Sequence, residues 1–298
     1  MRTLLAMLTV VLTAATAWAA PLVNGVKDAA YGPALAVQTV QTGFGDNDNE
    51  LNAAYGVIDG SRLYLMLTGN INNLFNRLEL FVDSKVGGQS VFDSSGNDNA
   101  SNMDGLVFDA GFTADYHVVL RRGNELGDDQ FNVDFANLGA QSASGYFDVL
   151  GGLTGAGATG TGVNASPIEV GYNDSNVAGI LGDAPNAADQ LAALAVLTGL
   201  ELSIDLADLG YAGGPIRVMA GINNQDHNYW SNQFLGGVPA PQGNLGSDEI
   251  GGFTGEGAID MTHFRGEQFF TVVPEPSSFV ILSLGLLVWI QVARHRKR

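Results

Sequence analysis

The stretch "LNAAYGVIDGSRLYLMLTGN", residues 51–70, decides the fold class of this chain. It contains two apolar runs, 51–58 and 62–70, separated by Asp-Gly-Ser at 59–61. An Asp-Gly pair between two such runs is a strong signal for a β-hairpin, because glycine accepts the positive φ that a tight turn needs. The stretch therefore predicts two neighbouring antiparallel strands.

Segments of the same kind recur along the rest of the chain. The segment "RLELFVD", residues 77–83, alternates between two faces of a strand. One face carries Leu78, Leu80 and Val82, and the other carries Arg77, Glu79, Phe81 and Asp83. Further strand-like segments lie at 115–122, 130–136, 145–152, 166–174, 200–210, 215–224 and 267–273.

One segment favours a helix instead. "NAADQLAALAVL", residues 186–197, is rich in Ala and Leu, which favour helix. The Gly-rich segments 150–166 and 235–260 are predicted to be loops. About ten strands with one short helix predict an all-β chain whose domain, residues 20–272, is an antiparallel, jelly-roll-like β-sandwich.

Composition restricts both the chemistry and the partners. The chain has 31 Asp and Glu against 13 Lys and Arg, a formal net charge of −18. Such a surface repels nucleic acid, which proteins bind through Lys and Arg. The chain has no cysteine, so disulfides, thiol catalysis and cysteine-ligated metal centres are excluded, and burial must stabilise the fold.

The first 19 residues have the pattern of a secretory signal peptide. Arg2 precedes an apolar run, and Ala17-Trp18-Ala19 fits the small-x-small pattern that signal peptidase recognises. Cleavage after Ala19 is expected, because cleavage one residue later would leave Pro21 at the first mature position.

The last 26 residues form three parts in a fixed order. A Pro-Glu-Pro motif comes first, an apolar stretch at 279–293 follows, and a basic end at 294–298 closes the chain. Basic residues beside an apolar helix stay on the cytoplasmic side of a membrane. The pattern predicts a short transmembrane helix that holds an exported domain at the inner membrane. The motif residues are Val273, Pro274, Glu275, Pro276 and Ser277.

This tail, residues 273–298, resembles the PEP-CTERM sorting signal of exported proteins from Gram-negative bacteria that make extracellular polysaccharide. The resemblance implies that exosortase, a membrane transpeptidase, removes the tail near the motif. The two prolines lack an amide hydrogen and keep the segment extended, which suits a processing enzyme. The protein is then a substrate of exosortase and of signal peptidase, and the motif residues are not catalytic.

The order of segments between residues 28 and 235 carries a second resemblance. The opening hairpin, "LELFVDSKVGG", "LELSIDLADLG" and "PIRVMAGINNQDHNYWSNQFL" are similar in arrangement to family 9 carbohydrate-binding modules and DOMON-like sandwiches. This resemblance implies the sandwich fold, and it makes carbohydrate a candidate ligand.

Two loops rich in Asp and Asn are candidate calcium sites. They are "GFGDNDNELN" at 43–52 and "FDSSGNDNASNMDG" at 92–105. Calcium takes about six to eight oxygen ligands, which such loops can supply. The first loop lacks EF-hand spacing, and a solvated acidic turn is the alternative for each. The candidate ligands are Asp46, Asp48 and Glu50 in the first loop and Asp93, Asn97, Asp98 and Asp104 in the second.

The segment "NNQDHNYWSNQF", residues 223–234, is a candidate sugar-binding surface. Aromatic rings stack on sugar CH groups, and neighbouring amides bind hydroxyls. The alternative is that Trp230 packs in the sandwich core or covers its edge. The candidate ligand-binding residues are Asn228, Tyr229, Trp230 and Phe234.

No segment has the pattern of a catalytic centre. There is no Gly-x-Ser-x-Gly elbow, and no carboxylate pair is singled out among the many acids. We expect a non-catalytic protein of the cell surface or extracellular matrix that associates with extracellular polysaccharide. The alternatives are a carbohydrate-binding module with a pocket near Trp230 and, less favoured, an extracellular hydrolase.

Overall fold

A computed structural model describes residues 19–94, 96–247 and 254–274 of the chain. Thirteen strands and one α-helix, α1 (Gln190–Ala195), occur in these ranges. The strands are β1 (Ala36–Val37), β2 (Glu50–Asp59), β3 (Arg62–Asn70), β4 (Leu74–Asp83), β5 (Tyr116–Glu125), β6 (Asp128–Asn137), β7 (Ser142–Tyr146), β8 (Gly155–Ala158), β9 (Glu169–Tyr172), β10 (Gly199–Asp205), β11 (Ile216–Asn223), β12 (Trp230–Leu235) and β13 (Phe270–Val272).

The predicted hairpin at 51–70 is confirmed as β2 and β3. The two strands are antiparallel, and Asp59 is opposite Arg62 across a turn formed by Gly60 and Ser61. Gly60 has a φ of +57°. The positive φ that the Asp-Gly signal anticipates is therefore present at the turn.

The strands form two sheets, and all pairs of named strands are antiparallel. The first sheet has the order β1-β2-β3-β10-β9-β8. The second has the order β12-β11-β4-β5-β6-β7, and β13 also pairs with β11. The expectation of an all-β chain with two antiparallel sheets and a short helix is confirmed.

The main core lies between the two sheets. Leu63, Leu65 and Leu67 of β3 belong to the same buried cluster as the alternate residues of β4. The alternation predicted for residues 77–83 is confirmed, since Leu78, Leu80 and Val82 are all buried in this cluster. Burial of this kind contributes about 1.5–3 kcal/mol for each large aliphatic side chain.

A second core covers the other face of the second sheet. Phe81 of β4 points away from the first core and packs at 4.9 Å from Phe108, measured between ring centroids. Residues from the long segments after β4 and after β12 complete this cluster, among them Phe92, Met103 and Ile259. Because these segments lack long strands, the layer is held by side-chain packing and isolated bridges.

Some elements differ from the sequence-based expectations. Residues 230–235 form β12, which includes the last five residues of the predicted sugar-binding segment 223–234. Residues 155–158 form β8 within a segment predicted to be a loop, because pairing with β9 supplies their hydrogen bonds. The helix α1 is shorter than predicted and begins after Asp189, whose carboxylate accepts from the amides of Leu191 and Ala192.

The predicted processing segments lie mostly outside the described residues. Val273 and Pro274 are described, whereas Glu275, Pro276, Ser277, the predicted signal helix and the predicted tail helix are not. In the three described ranges, no helix has the length and apolar character needed to cross a membrane. Chain contacts group Pro21–Pro274 into one compact unit.

Candidate functional site

Ionisable side chains of β4 and β5 meet on the outer face of the second sheet. The register places Phe81 opposite His117 and Arg77 opposite Arg121. Glu79 lies between Arg77 and Phe81 on the same face of β4. Like charges directly opposite each other destabilise a sheet, so the two arginines need a counter-charge.

Asp98 supplies that counter-charge from the loop after β4. Its Oδ2 atom lies 2.9 Å from Nε of Arg77 and 3.0 Å from Nη1 of Arg121. Arg121 also forms an ion pair with Asp134 of β6. The side chain of Asp98 is thus bound by both arginines at the edge of the buried face.

Glu79 links two imidazoles beneath this ion-pair cluster. Its Oε2 atom lies 2.8 Å from Nε2 of His117, and its Oε1 atom lies 2.6 Å from Nδ1 of His227. The side chains of all three residues are 0% exposed. The other nitrogen of His227, Nε2, is 3.2 Å from Oδ2 of Asp98. The result is a continuous chain from His117 through Glu79 and His227 to Asp98.

This network shifts the pKa of its members. Burial acts to raise the pKa of Glu79, but the charge of His227 and the hydrogen bonds from both histidines outweigh it and lower that pKa. Burial acts to lower the pKa of His227, but Glu79 and Asp98 raise it above its ordinary 6.5. Asp98 has a lowered pKa, because His227 and the two arginines outweigh its burial. Glu79 is therefore ionised, and His227 is favoured as the cation.

His117 has a different environment on its two sides. Its ring stacks on Phe81 at 4.4 Å between centroids, and Phe92 meets it edge-on. Since Nε2 contacts a carboxylate, that nitrogen carries a proton, whereas Nδ1 is buried with no hydrogen-bond partner. An unpaired ring nitrogen of this kind costs stability in a buried site.

Backbone conformation around the network is unusual. Asp98, Asn99 and His227 have φ values of +46°, +61° and +55°. Asn, Asp and His tolerate this left-handed region better than other non-glycine residues. Strain of this kind clusters at functional sites and persists where surrounding contacts enforce it.

A surface cleft of about 380 Å³ opens above the two arginines. Phe147, just beyond β7, is 72% exposed at its rim. The cleft therefore combines two aromatic rings with charged and amide groups. Its lining consists of Phe75, Arg77, Arg121, Glu125, Asn132, Phe147, Gln225 and Asp226.

The two histidines of the buried network do not reach this cleft as free bases. Both nitrogens of His227 contact carboxylates, and His117 has no solvent exposure, so neither imidazole presents a base to the cleft. Arginine and amide donors together with aromatic faces suit a polyhydroxylated ligand. The buried network holds the cleft floor in place from below.

The first predicted calcium loop is organised by amide donors. Oδ2 of Asp46 accepts from the amide of Gly182 at 2.8 Å, and Oδ2 of Asp48 accepts from the side chain of Asn49 at 3.2 Å. Glu50 is buried, and its two oxygens accept from the amide of Asn47 and from the side chains of Asn52 and Asn176.

The second predicted calcium loop does not bring its candidates together around one point. Asp98 faces the arginines, whereas Oδ1 of Asp104 accepts from the amide of Ser94. Asn97 is buried and Asp93 is exposed. Across residues 19–94, 96–247 and 254–274, no group of three or more His, Cys, Asp or Glu side chains is placed to hold a metal ion.

Two of the residues predicted to bind sugar, Trp230 and Phe234, are buried and do not form a binding surface. Trp230 and Phe234 are 0% exposed, pack at 5.3 Å from each other and belong to the second core. The indole nitrogen of Trp230 donates to the carbonyl of Gly257 at 3.0 Å. The core-packing alternative for Trp230 thus describes these rings. The other two candidates, Asn228 and Tyr229, are partly exposed. The ring of Tyr229 stacks on Phe44, and Oδ1 of Asn228 accepts from the side chain of Asn224.

The sequence pattern does not indicate that Glu79 and His227 are partners. Glu79 lies in a predicted strand and His227 in the predicted sugar-binding segment, and 148 positions separate them. One signal was available in the sequence. A large aromatic residue, Phe81, shares one face of the strand with Glu79, and this indicates that the face is covered by other residues and not exposed to solvent.

Comparison with known proteins finds no matching family model, no matching curated protein and no matching solved structure.

Proposed function

We propose that this chain is an exported, non-catalytic β-sandwich protein that is sorted by exosortase and associates with extracellular polysaccharide at the cell surface or in the matrix. The supporting observation is the extent of the compact unit, Pro21–Pro274. Its limits lie within two residues of the predicted signal-peptide cleavage after Ala19 and of the start of the sorting tail at Val273. The structural unit and the segment between the processing sites therefore nearly coincide.

The sorting part of the proposal is tested by processing in a Gram-negative host that makes exosortase. The full chain is compared with a Pro274→Ala/Pro276→Ala variant, and the matched control is Pro33→Ala at an exposed site. We expect intact-mass spectrometry to show loss of the tail near the motif in wild type and control. The double variant keeps its tail, because the segment loses its fixed extended form. An unprocessed wild-type chain in the exosortase-positive host would refute this part.

Polysaccharide association is assigned to the cleft beside Phe147 instead of the region of Trp230. An exposed aromatic ring next to arginine, asparagine and glutamine side chains has the composition of a sugar-binding cleft. The cleft has a volume of about 380 Å³ and lies open at the surface, where a long chain can reach it. The strongly acidic surface favours neutral or cation-bridged glycans over free polyanions.

Retention on the host's own extracellular polysaccharide tests this assignment. Phe147→Ala removes the exposed ring, and the control Val86→Ala truncates a fully exposed apolar residue just after β4, at the end opposite to Phe75. Stacking on an aromatic ring contributes about 0.5–1.5 kcal/mol, so we expect a loss of about twofold to twelvefold in affinity for Phe147→Ala. Equal retention of both variants would contradict the cleft as the binding site.

A further inference from the structure

Two buried oxygen atoms near the first acidic loop have no hydrogen-bond partner. They are Oδ1 of Asn47 and Oδ1 of Asn70. Asn70 is only 4% exposed, and its Nδ2 atom donates to the carbonyls of Asn47 and Asn176, which fixes Oδ1 as the acceptor side of the amide. Unsatisfied buried acceptors are rare because each one costs free energy.

Hydrogen bonds tie these amides to the carboxylates of the loop. Nδ2 of Asn70 lies 2.7 Å from the carbonyl of Asn47, a residue flanked by Asp46 and Asp48. The amide of Asn47 in turn lies 2.9 Å from Oε2 of Glu50. The two unpaired oxygens therefore belong to the same small region as three carboxylates.

The carboxylates of this region lack a basic partner among the residues that the structure describes. Within the described part of the chain, no Lys, Arg or His forms an ion pair with Asp46, Asp48 or Glu50. Glu50 is fully buried, so its charge is poorly solvated. A bound cation would offset both the charge and the unpaired oxygens.

We infer that this region binds one Ca²⁺ ion, with Oδ1 of Asn47 and Oδ1 of Asn70 as fixed ligands and the carboxylates of Asp46, Asp48 and Glu50 as the charged ones. The three carboxylates by themselves are not placed as a metal-binding group. Asp46 and Asp48 are exposed, so their side chains can turn toward an ion beside the fixed amides. Calcium accepts such mixed oxygen ligands in flexible geometry, whereas magnesium demands a near-ideal octahedron.

Calorimetric titration of the full chain, purified in detergent and freed of metal by chelator, tests the site with CaCl₂ and then with MgCl₂. We expect one calcium site per chain with a Kd of about 10⁻⁴–10⁻³ M, the range of extracellular modules. Magnesium binds more weakly, and calcium raises the melting temperature. If calcium gives neither binding heat nor a shift in melting temperature, the inference is wrong and water satisfies the two oxygens.

Two substitutions test the ligands without disturbing the backbone. Asn47→Gly removes the unpaired oxygen and keeps a residue that tolerates the φ of +58°, and Asp48→Asn removes one charge at constant shape. The matched control is Asn99→Gly, an exposed left-handed position in the second acidic loop whose side chain makes no capping bond. We expect both variants to lose at least about tenfold in calcium affinity and the control to lose none. Equal affinities in all four proteins would overturn the assignment.

Discussion

Glu79 joins parts of the protein that are far apart in the chain. His117 follows it by 38 positions and His227 by 148, and each imidazole contacts a different oxygen of the same carboxylate. A buried carboxylate is stable only with such partners, because an isolated buried ion costs several kcal/mol. The residue thus fixes the loop after β11 against the outer face of β4.

Replacement of Glu79 by glutamine tests this role. Glu79→Gln removes the anion and leaves the buried cation of His227 with only Asp98, so we expect a loss of about 3–5 kcal/mol in the free energy of unfolding. Urea unfolding at neutral pH measures this loss. The matched control is Glu125→Gln at an exposed position, which we expect to change stability by less than about 0.5 kcal/mol. Similar losses in the two variants would contradict the structural importance of the network.

The pH dependence of stability follows from the same pKa shifts. Glu79 and Asp98 have lowered pKa values, so their contribution is present above their ordinary pKa values, near 4, and is lost as the pH falls through the folded ones. His227 has a raised pKa, so its contribution is complete below pH 6.5 and is lost as the pH rises through the folded value.

We therefore expect maximal network stability between about pH 4.5 and pH 6.5, with a decline on the alkaline side. His227→Gln lowers stability within this range and flattens the alkaline decline, because the group that loses its proton is absent. Urea unfolding at a series of pH values measures both effects. A variant that declines as steeply as wild type above pH 6.5 would show that another group causes the decline.

At the level of elements, two glycines of the β2–β3 hairpin have different constraints. Gly60 lies in the turn with a φ of +57°, and an added Cβ atom would have no neighbour within 4 Å, whereas Gly69 has a φ of +135° at the end of β3. A Cβ atom on Gly69 would lie 2.1 Å from the carbonyl oxygen of Glu50. The register between β2 and β3 is irregular in the same place, between Leu51 and Ala53.

Alanine at the two glycines should therefore have unequal effects. Gly60→Ala incurs only the cost of the left-handed backbone, about 1–2 kcal/mol. Gly69→Ala adds a clash with backbone that cannot move without breaking the strand pair, so we expect a loss of about 3 kcal/mol or more. Urea unfolding of both variants makes the comparison, and equal losses would show that the Glu50 backbone gives way.

At the level of the whole molecule, the sandwich carries a large excess of negative charge. The 31 Asp and Glu residues outnumber the 13 Lys and Arg residues, and the mutual repulsion of the excess carboxylates disfavours the compact state. Salt screens this repulsion, since the Debye length falls from about 30 Å at 0.01 M to about 8 Å at 0.15 M ionic strength.

We expect the free energy of unfolding to rise as sodium chloride is added over this range of ionic strength. Choline chloride serves as the control, and it should act equally well because screening does not depend on the identity of the cation. Stability that falls with added salt would mean that the ion pairs around Asp98 outweigh the general repulsion. A response to calcium alone reports on the proposed metal site instead.

Much of the fold follows from local pattern. The hairpin at 51–70 and the alternation at 77–83 were predictable because turn chemistry and a period of two are properties of neighbouring residues. The short strand β8 was not, because Gly155–Ala158 contains no apolar pattern and forms a strand only where β9 pairs with it.

By itself the sequence determined the strand-rich class, the inward face of β4 and the exclusion of cysteine chemistry, since each depends on composition or on short spacing. Only the tertiary structure decided that Trp230 is buried, that Asp98 binds arginines and that Glu79 lies between two histidines. The physical reason is the second core. The outer face of a sheet contacts either solvent or a covering layer, and segments distant in the chain decide which. The local alternation of apolar and polar residues does not reveal the outcome.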